Sequence, residues 1–210
     1  MTTPVTRRAT KSAETRRAEI LDAAVRLFDA PGYDGATVSD IARAAGVAAG
    51  TVYLYYPSKE HVLLALHAEF HTGMEATMAA TFERVWARVE DESLSNPQAL
   101  ELMVDAMVDA VVHYVREHPA RSAVICRYVP RVAPDANTRG QTAEYIAAAI
   151  EVGQEAGRVA VSDPAMAALL LEAAFSGPLS HMVVEGDDAA VDRFASQAKE
   201  FFVKALAPPA

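Results

Sequence analysis

A short segment around residue 50 brings together small and hydroxyl-bearing side chains at a spacing that suits contact with a nucleic acid. Thr51 can hydrogen-bond a base or a phosphate, Leu54 can touch a thymine methyl group, and Gly50 permits close approach. The hydroxyl groups of Tyr53 and Tyr55 can reach backbone oxygens. Val52 and Tyr56 are four residues apart and mark the buried side of a helix, so the pattern predicts that the opposite side faces the major groove.

The residues before this helix predict a second helix that positions it. Apolar residues recur at helical spacing over residues 38–45, and Thr37 with Asp40 predicts a capping box at the start. Gly46 stops this helix because glycine adopts positive φ without a Cβ clash, and Val47 fills the angle that follows. Two short helices joined by a tight turn are a helix-turn-helix, which indicates DNA binding. The same shape occurs in other α-helical proteins.

The surrounding sequence makes the interpretation more specific. Residues 15–28 form an amphipathic helix, and the turn Pro31–Gly35 follows it. The run from residue 17 to residue 64 resembles the N-terminal DNA-binding domain of the tetracycline-repressor (TetR/AcrR) family of bacterial regulators. The resemblance rests on ILDAAVRLF, the GY turn, T-V-x-D-I-A-x-x-A-G-V, G-T-V-Y-x-Y-Y and P-S-K-E, and it covers roughly the first third of the chain.

The resemblance and the helical periodicity together predict an all-α fold of about nine helices. We expect a flexible basic arm over residues 1–14, a three-helix helix-turn-helix domain over 15–60, and a larger helical effector-binding and dimerisation domain over 61–210. The resemblance implies a homodimer that binds a palindromic double-stranded DNA operator, most often as a repressor, and that a small-molecule effector releases. Helix four would link the two domains and carry the signal. No cofactor is expected.

The predicted DNA contacts follow from the motif and from the basic residues before it. Lys59, which follows the cap Ser58, stands where a cation can grip a phosphate. Ala48 and Ala49 depart from the family pattern, because many members carry a Lys, Arg or polar side chain there, and this leaves the operator sequence open. The full predicted set is Arg16, Arg17, Thr37, Val38, Ser39, Ala48, Ala49, Gly50, Thr51, Tyr53, Leu54, Tyr55 and Lys59.

Charge is distributed unevenly along the chain. The whole chain has 19 basic and 28 acidic residues, a net charge of −9, which fits a DNA-binding protein poorly. Residues 1–60, however, carry eight Lys and Arg against seven Asp and Glu, so the acidic excess lies in the remainder. Five of those eight cations precede or begin the first helix and could reach phosphates or the minor groove. The arm could equally be a solubilising tail.

Composition sets further limits. Cys126 is the one cysteine, so no intrachain disulfide is possible, and together with the absence of a signal-peptide pattern at the N-terminus this predicts a cytoplasmic protein. The longest apolar window, residues 165–184, contains Glu172, Pro178 and His181. These residues favour a buried or interfacial helix over a membrane span.

The last two helices are predicted to form the dimer surface. Their apolar stripes are broad, and an exposed stripe of that size is a liability on a monomer. The resemblance implies a four-helix bundle across a two-fold axis, with recognition helices about 34 Å apart. The same residues could instead complete the core of one subunit. The predicted interface comprises Leu170, Leu171, Ala174, Leu179, Val191, Phe194, Ala198, Phe201 and Phe202.

An effector site is predicted where aromatic, methionine and polar side chains mix on the central helices. Each of these residues could instead be ordinary core. The candidates are Trp86, Met103, Met107, His113, Tyr114, Cys126, Tyr145 and Phe175. His113 and His118 have no companion ligand at a recognised spacing, so no metal site is expected.

Two other classes of protein compete with this interpretation. A helical enzyme could use Cys126 or a histidine as nucleophile or base, but the sequence carries no G-x-S-x-G, Walker or H-E-x-x-H motif. A dimeric helical protein that has lost specific DNA binding is harder to exclude, because the recognition helix has no cation.

Overall fold

Nine α-helices account for most of the residues that the structure describes. The computed structural model of the chain describes residues 12–92, 94–132 and 139–208. The helices are α1 (Ala13–Leu27), α2 (Val38–Ala44), α3 (Ala49–Tyr55), α4 (Lys59–Asp91), α5 (Asn96–Glu117), α6 (Pro119–Val132), α7 (Arg139–Glu155), α8 (Pro164–Glu185) and α9 (Asp188–Leu206). Within those three ranges there is no β-strand, and the predicted all-α class is confirmed.

The chain divides into two compact units, residues 1–65 and 66–210. The sequence analysis expected the boundary between residues 60 and 61. Because the boundary in the structure follows residue 65, the first seven residues of α4 belong to the first unit. Most of the predicted arm, residues 1–11, lies outside the described residues. Ser12 caps α1, its Oγ accepting a hydrogen bond of 3.1 Å from the backbone N–H of Thr15. Arg16 and Arg17 are consequently helical residues rather than parts of an extended arm.

The first unit has a filled apolar core. Ile20, Phe28, Ile41 and Val52 have no exposed surface, and they come from or adjoin three different helices. The ring of Phe28 lies 5.0 Å from the ring of Tyr33, measured between centroids. A short π-helical segment, Phe28–Gly32, follows α1 and contains an extended residue, Ala30. This irregular segment, which the sequence indicated only as a turn, lies between the first helix and the helix-turn-helix.

Among the described residues of the second unit, apolar side chains form a larger and a smaller buried cluster. α8 packs against α6, α7 and α9, and α5 packs against α9. Buried residues of α5, α7, α8 and α9 form the larger cluster, which includes Val104, Ala168 and Leu179. A smaller cluster joins α4 and α5 through Val85, Val89 and Ala99. The buried residues of α5 thus extend from Ala99 to Val112, over most of the helix.

Candidate functional site

The exposed side of α3 is the first candidate site. Val52 and Tyr56 are buried, as their four-residue spacing predicts, at 0% and 8% exposure. On the other side Leu54 is 83% exposed and Tyr53 is 54% exposed, which is unusual for side chains of this size. Gly50 has no atom within 4 Å of the position that a Cβ would occupy. An apolar and aromatic helix face thus stands open, with space beside its first turn.

The turn before α3 holds that face in a fixed orientation relative to α2. Gly46 adopts φ of +67°, the left-handed conformation that its position after the helix requires. The backbone N–H of Val47 donates to the carbonyl of Ala42 at 2.9 Å. At the start of α3 the N–H of Thr51 donates to the carbonyl of Ala48 at 2.9 Å, and no side chain caps the helix.

The predicted capping box at the start of α2 is present. The backbone N–H of Asp40 donates to Thr37 Oγ1 at 3.1 Å, and the N–H of Thr37 donates to Asp40 Oδ2 at the same distance. The Thr37 hydroxyl also donates to this carboxylate at 2.6 Å, and Arg43 pairs with it at 2.6 Å. These hydrogen bonds, Thr37's first and Arg43's next, hold the pKa of Asp40 below its ordinary value. The Thr37 hydroxyl therefore already makes two hydrogen bonds within the cap of α2.

Lys59 makes contacts that the sequence did not indicate. Its ammonium group donates to the carbonyls of Tyr33 and Ala36 at 2.6 and 2.9 Å, and it lies 4.3 Å from the centroid of the Tyr33 ring. Two of its three N–H donors are thus used to hold the turn before α2. The phosphate contact stays a prediction for the remaining donor.

One predicted DNA contact is wrong. Val38 is only 8% exposed and belongs to the core of the first unit, because it is the first inward-facing residue of α2. Its neighbours Thr37 and Ser39 are exposed. Val38 is part of the sequence motif because its side chain packs in the core, and this side chain is therefore not available to DNA.

The basic residues of α1 have partners inside the unit. Arg16 pairs with Glu19 at 2.9 Å. The guanidinium of Arg17 lies 5.6 Å from the centroid of the Tyr55 ring. The start of α1 and the end of α3 therefore meet, and this contact places an exposed cation beside the open helix face. Arg43, which the sequence analysis missed, adds another cation with 78% of its side chain exposed.

The second candidate site is a cavity of about 950 Å³ inside the second unit. That volume lies at the upper end of the range for small-molecule sites. The side of α4 that carries Phe70, Met74, Met78, Phe82 and Trp86 at four-residue intervals lines one wall. Residues of α5 to α9 complete the lining, so the central helices surround a hollow instead of a filled core.

Six of the eight predicted effector residues line this cavity. They are Trp86, Met103, Met107, Cys126, Tyr145 and Phe175. Whether they touch a ligand stays a prediction, but the structure brings them together around one space.

The other two predicted residues lie elsewhere. The side chain of His113 is 70% exposed, and its Nε2 lies 3.2 Å from Glu117 Oε1, one turn along the same helix. Tyr114 packs against Phe70 with ring centroids 5.0 Å apart, and its hydroxyl fills the space that a Cβ on Gly73 would take. Neither residue is among those that line the cavity: His113 lies on the exposed side of α5, and Tyr114, two turns beyond Met107 on the same side of the helix, packs beside the lining residue Phe70. Their contact with an effector stays a prediction.

The polar side chains of the cavity are mostly uncharged. Burial lowers the pKa of His67 to about 4, with the neighbouring His71 as a second cause, and burial also lowers the pKa of His71. Burial raises the pKa of the Tyr145 hydroxyl. It also raises the pKa of the Cys126 thiol, which keeps the sulfur protonated, whereas an activated nucleophile needs a lowered value. The raised pKa of Cys126 does not favour its use as a nucleophile.

The outer surface of α8 is the third candidate site. Met166, Leu169 and Leu170 are 52%, 44% and 64% exposed, and Phe201 of α9 is 58% exposed. Met166 and Leu169 were not in the predicted interface. Ala174 also lies on the exposed side, and Gly177 has open space where its Cβ would be. An exposed apolar stripe of this kind indicates a surface that another molecule covers.

Several predicted interface residues are buried within the subunit instead. Leu171, Leu179, Val191 and Ala198 are between 4% and 9% exposed. Phe194 and Phe202 are half-buried and pack against the larger apolar cluster of the second unit. The prediction took apolar residues from several sides of α8 and α9, so it combined residues of the inner and the outer sides of these helices.

α8 is also the one helix in the described ranges that is long and apolar enough to cross a membrane. Only 17% of its most apolar window is buried in the subunit. Length and composition alone do not separate a membrane span from an interface helix. Glu172 lies in the middle of α8 and lines the cavity of the second unit, which fits a helix with one side in the protein and one side covered by a partner.

Comparison with known families assigns both parts of the chain. Residues 20–66 match the model described as bacterial regulatory proteins of the tetR family. Residues 99–205, about half of the chain, match the model described as a tetracyclin repressor-like C-terminal domain.

Individual relatives agree with this assignment. The fatty acid metabolism regulator protein of Bacillus subtilis (strain 168) is 44% identical over 59 residues, 28% of this chain and 30% of that protein. The transcriptional repressor KstR of Rhodococcus jostii is 30% identical over 104 residues, 49% of this chain and 44% of that protein. The chain thus spans less than half of the length of these curated relatives.

Solved structures show the same fold over nearly the whole chain. SmeT, the repressor of the Stenotrophomonas maltophilia multidrug efflux pump SmeDEF, superposes in its triclosan complex with a TM-score of 0.69. The superposition covers 93% of each chain at 20% sequence identity. At that identity the likeness establishes the fold, and the function has to be argued from the sites.

Proposed function

Because the chain belongs to the TetR family of bacterial regulatory proteins, we propose that it is a ligand-responsive DNA-binding transcriptional regulator that acts in the cytoplasm. It binds a palindromic operator as a homodimer, most simply as a repressor, and a small molecule in the cavity of the second unit releases it. The family assignment rests on the matches over residues 20–66 and 99–205. The observation that carries the DNA-binding part is the open side of α3, where Leu54 is 83% and Tyr53 is 54% exposed.

The composition of this face determines how it can read DNA. Without a cation on α3, the bidentate arginine contacts to guanine are not available from this helix. Leu54 can pack against thymine methyl groups, and the hydroxyls of Thr51 and Tyr53 can bond bases or phosphates. Arg17, which lies against Tyr55 at the end of α3, and the exposed Arg43 and Ser39 of α2 would supply charge and hydrogen bonds for the phosphate backbone. We therefore expect operator half-sites with thymine at contacted positions.

Subunit pairing through α8 is the second part of the proposal. An isologous interface repeats one surface on both subunits, so a stripe of exposed Met166, Leu169 and Leu170 on one α8 meets the same stripe on the other. Ala174 and Gly177 add small residues that let two helices approach closely. A two-fold dimer in turn requires two half-sites one helical turn apart, about 34 Å.

The cavity supplies the proposed switch. A ligand changes operator affinity only if it binds the DNA-competent and DNA-incompetent states with different affinity. A tenfold preference per site weakens the operator complex by about 1.4 kcal/mol per site. SmeT, whose structure was solved as a triclosan complex, shows the same fold with an apolar small molecule bound. This likeness supports the proposal that the hollow of this chain also accepts one.

Selection of bound fragments from a random DNA pool tests the DNA-binding part. At low ionic strength we expect recovered fragments with two inverted half-sites, and affinity that falls steeply as salt rises, because each neutralised phosphate releases counterions. Recovery of no preferred sequence would support the alternative that the helix-turn-helix has lost specific DNA binding.

Two leucine-to-glutamate variants separate the DNA surface from the dimer surface. Leu170→Glu places charges against each other across the proposed interface, so sedimentation should show monomers and operator affinity should fall at least tenfold. Leu54→Glu, which changes another exposed leucine in the other unit, should leave the dimer intact while operator binding is lost. A dimer that survives Leu170→Glu would contradict the proposed interface.

A further inference from the structure

The loop between α7 and α8 brings one arginine into the wall of the cavity. We propose that the effector is an apolar molecule with a single anionic group, and that Arg158 binds this group against the indole ring of Trp86. The inference rests on the proposed effector site and adds the chemical class of the ligand.

The backbone of Arg158 is held in place by the end of α7. The N–H of Arg158 donates to the carbonyl of Gly153 at 2.8 Å, and the N–H of Gly157 donates to the carbonyl of Gln154 at 2.9 Å. With Gly157 at φ of +68°, this is a Schellman motif. The position of the arginine is thus set by the helix terminus.

Contacts on both sides of Arg158 reinforce that position. Asn96 Nδ2, at the start of α5, donates to the carbonyl of Gly157 at 2.8 Å. Gln154 Nε2 donates to the carbonyl of Val161 at 2.7 Å. The side chain of Val159 packs so closely on Gly153 that a Cβ at residue 153 would overlap with it. The loop is consequently preorganised, which lowers the entropy cost of using its side chain for binding.

The guanidinium of Arg158 lies over the Trp86 ring and has no carboxylate partner among the described residues. Its Cζ lies 5.0 Å from the centroid of the Trp86 ring, and Trp86 in turn stacks on Phe82 with ring centroids 5.7 Å apart and planes 14° apart. Its Nε is buried and has no hydrogen-bond acceptor. In the described ranges no carboxylate lies within ion-pairing distance of it. A buried donor of a permanently charged group without an acceptor is costly, and an anionic ligand would supply the acceptor.

The rest of the cavity determines the other part of the ligand. Met74, Met78, Met103 and Phe175 line the same space as Arg158, so the volume beyond the guanidinium suits an apolar body. Glu172 of α8 is the other charged side chain among the lining residues. It does not pair with Arg158, so the two charges act on a ligand separately. An amine would be drawn to Glu172 and an acid to Arg158, and the experiment includes both.

Trp86 is the single tryptophan of the chain, so its fluorescence reports binding at this position. The probes are decanoic, dodecanoic and tetradecanoic acid, each compared with the primary alcohol and the primary amine of the same length. We expect each acid to bind about 10- to 100-fold more tightly than its alcohol, which is the usual range for hydrogen bonds to a charged group. The amine should bind more weakly than the alcohol.

Variants of Arg158 test whether this residue causes the difference in affinity between acid and alcohol. Arg158→Gln should remove the difference between acid and alcohol while the alcohol keeps its affinity, and Arg158→Lys should restore only part of it because a lysine lacks the planar fork. Arg127→Gln, which removes an exposed arginine of α6, should leave the difference unchanged. The comparison of acid with alcohol on the unaltered protein needs no variant, so the inference remains testable if Arg158→Gln fails to fold.

The outcomes separate this inference from the proposed function. Equal binding of acid and alcohol, or tighter binding of the amine, would overturn the role of Arg158 while leaving an effector cavity in place. Absence of binding by every probe would overturn the ligand class outright. Tight binding of an acid that leaves operator affinity unchanged would support the anion site and contradict the switch.

Discussion

The two units of this chain use the same kind of apolar helix in opposite ways. In the first unit the inward side chains fill the core, and six of the largest completely buried ones, Phe28, Ile20, Ile41, Leu63, Val52 and Val62, lie within residues 1–65. In the second unit the inward side chains of α4 and α5 surround a cavity of about 950 Å³. The filled unit presents its functional groups on the outside, and the hollow unit presents them on the inside. The filled core of the first unit agrees with the proposal that it binds DNA through its surface, and the cavity of the second unit agrees with the proposal that it accepts a ligand.

Removal of a core side chain should have very different effects in the two units. Phe28→Ala leaves a void in the filled core and should lower the free energy of unfolding by about 3–5 kcal/mol. Met107→Ala enlarges a hollow that already exists, so we expect a loss of about 1 kcal/mol or less, because little packing is removed. Denaturant unfolding of both variants measures this. Similar losses would show that the cavity of the second unit is not open in solution.

Acid should act on the hollow unit through its buried histidines. Burial lowers the pKa of His67 from 6.5 to about 4 in the folded protein, so between these values the unfolded chain binds more protons. Stability should therefore fall by about 3 kcal/mol as the pH drops from 6.5 to 4, since each unit by which the pKa is lowered is worth about 1.4 kcal/mol, and then level off for this group.

Replacement of His67 isolates its part of that loss. His67→Leu should flatten the slope of unfolding free energy against pH in this window, whereas Met74→Leu, at a neighbouring buried position without a titrating group, should keep it. An unchanged slope in His67→Leu would mean that another group controls the acid response.

The open face of the filled unit should be sensitive to a single methyl group. Gly50→Ala adds a Cβ in free space, so the folded protein should be unharmed and up to about 1 kcal/mol more stable. If the backbone of α3 approaches DNA closely at residue 50, operator affinity should fall about tenfold, or about 1.4 kcal/mol. Gly35→Ala is a matched control in the same unit, since its Cβ would meet Pro31 and the carbonyl oxygen of Gly32 at ordinary contact distances. Equal operator affinities in the two variants would place DNA away from Gly50.

The smallest expected effect concerns the cap of α2. Thr37→Ala removes the acceptor for the N–H of Asp40 and should cost about 1 kcal/mol, whereas Thr37→Ser should retain most of it. Since the pKa of Asp40 is held below its ordinary value, the stabilisation by this carboxylate is present above that value and lost as the pH falls through the lowered one. Thermal unfolding of the two variants at neutral and acidic pH measures both parts, and a serine variant as unstable as alanine would contradict the capping role.

The sequence predicted the filled unit better than the hollow one, for a physical reason. Thr37, Asp40 and Gly46 act through local backbone geometry, and their positions in the chain are enough to predict the cap and the turn. Helical spacing can identify the buried side of a helix that has one apolar side, but α8 is apolar on several sides. The spacing could not tell that Leu170 faces solvent while Leu171 faces the cavity.

The polar residues of the hollow depend on tertiary contacts that periodicity does not contain. Arg158 lies in a loop and enters the cavity wall because α7 ends in a Schellman motif, and nothing in its immediate sequence distinguishes it from a solvated charge. His113 is of a residue type that can line a ligand cavity, but its side chain lies on the exposed side of α5. A filled core and a lined cavity produce the same apolar periodicity, so the effector site was predicted from the mixture of aromatic, methionine and polar side chains, and its volume and its exact lining could not be predicted.

The division of labour between the two units is tested most directly by titrating the selected operator complex with the acid that binds best in the Trp86 fluorescence assay. The account predicts that saturation of the cavity weakens operator binding at least tenfold, with half of the effect reached at the ligand concentration that half-saturates the fluorescence change. Full occupancy of the cavity with no change in operator affinity would contradict it.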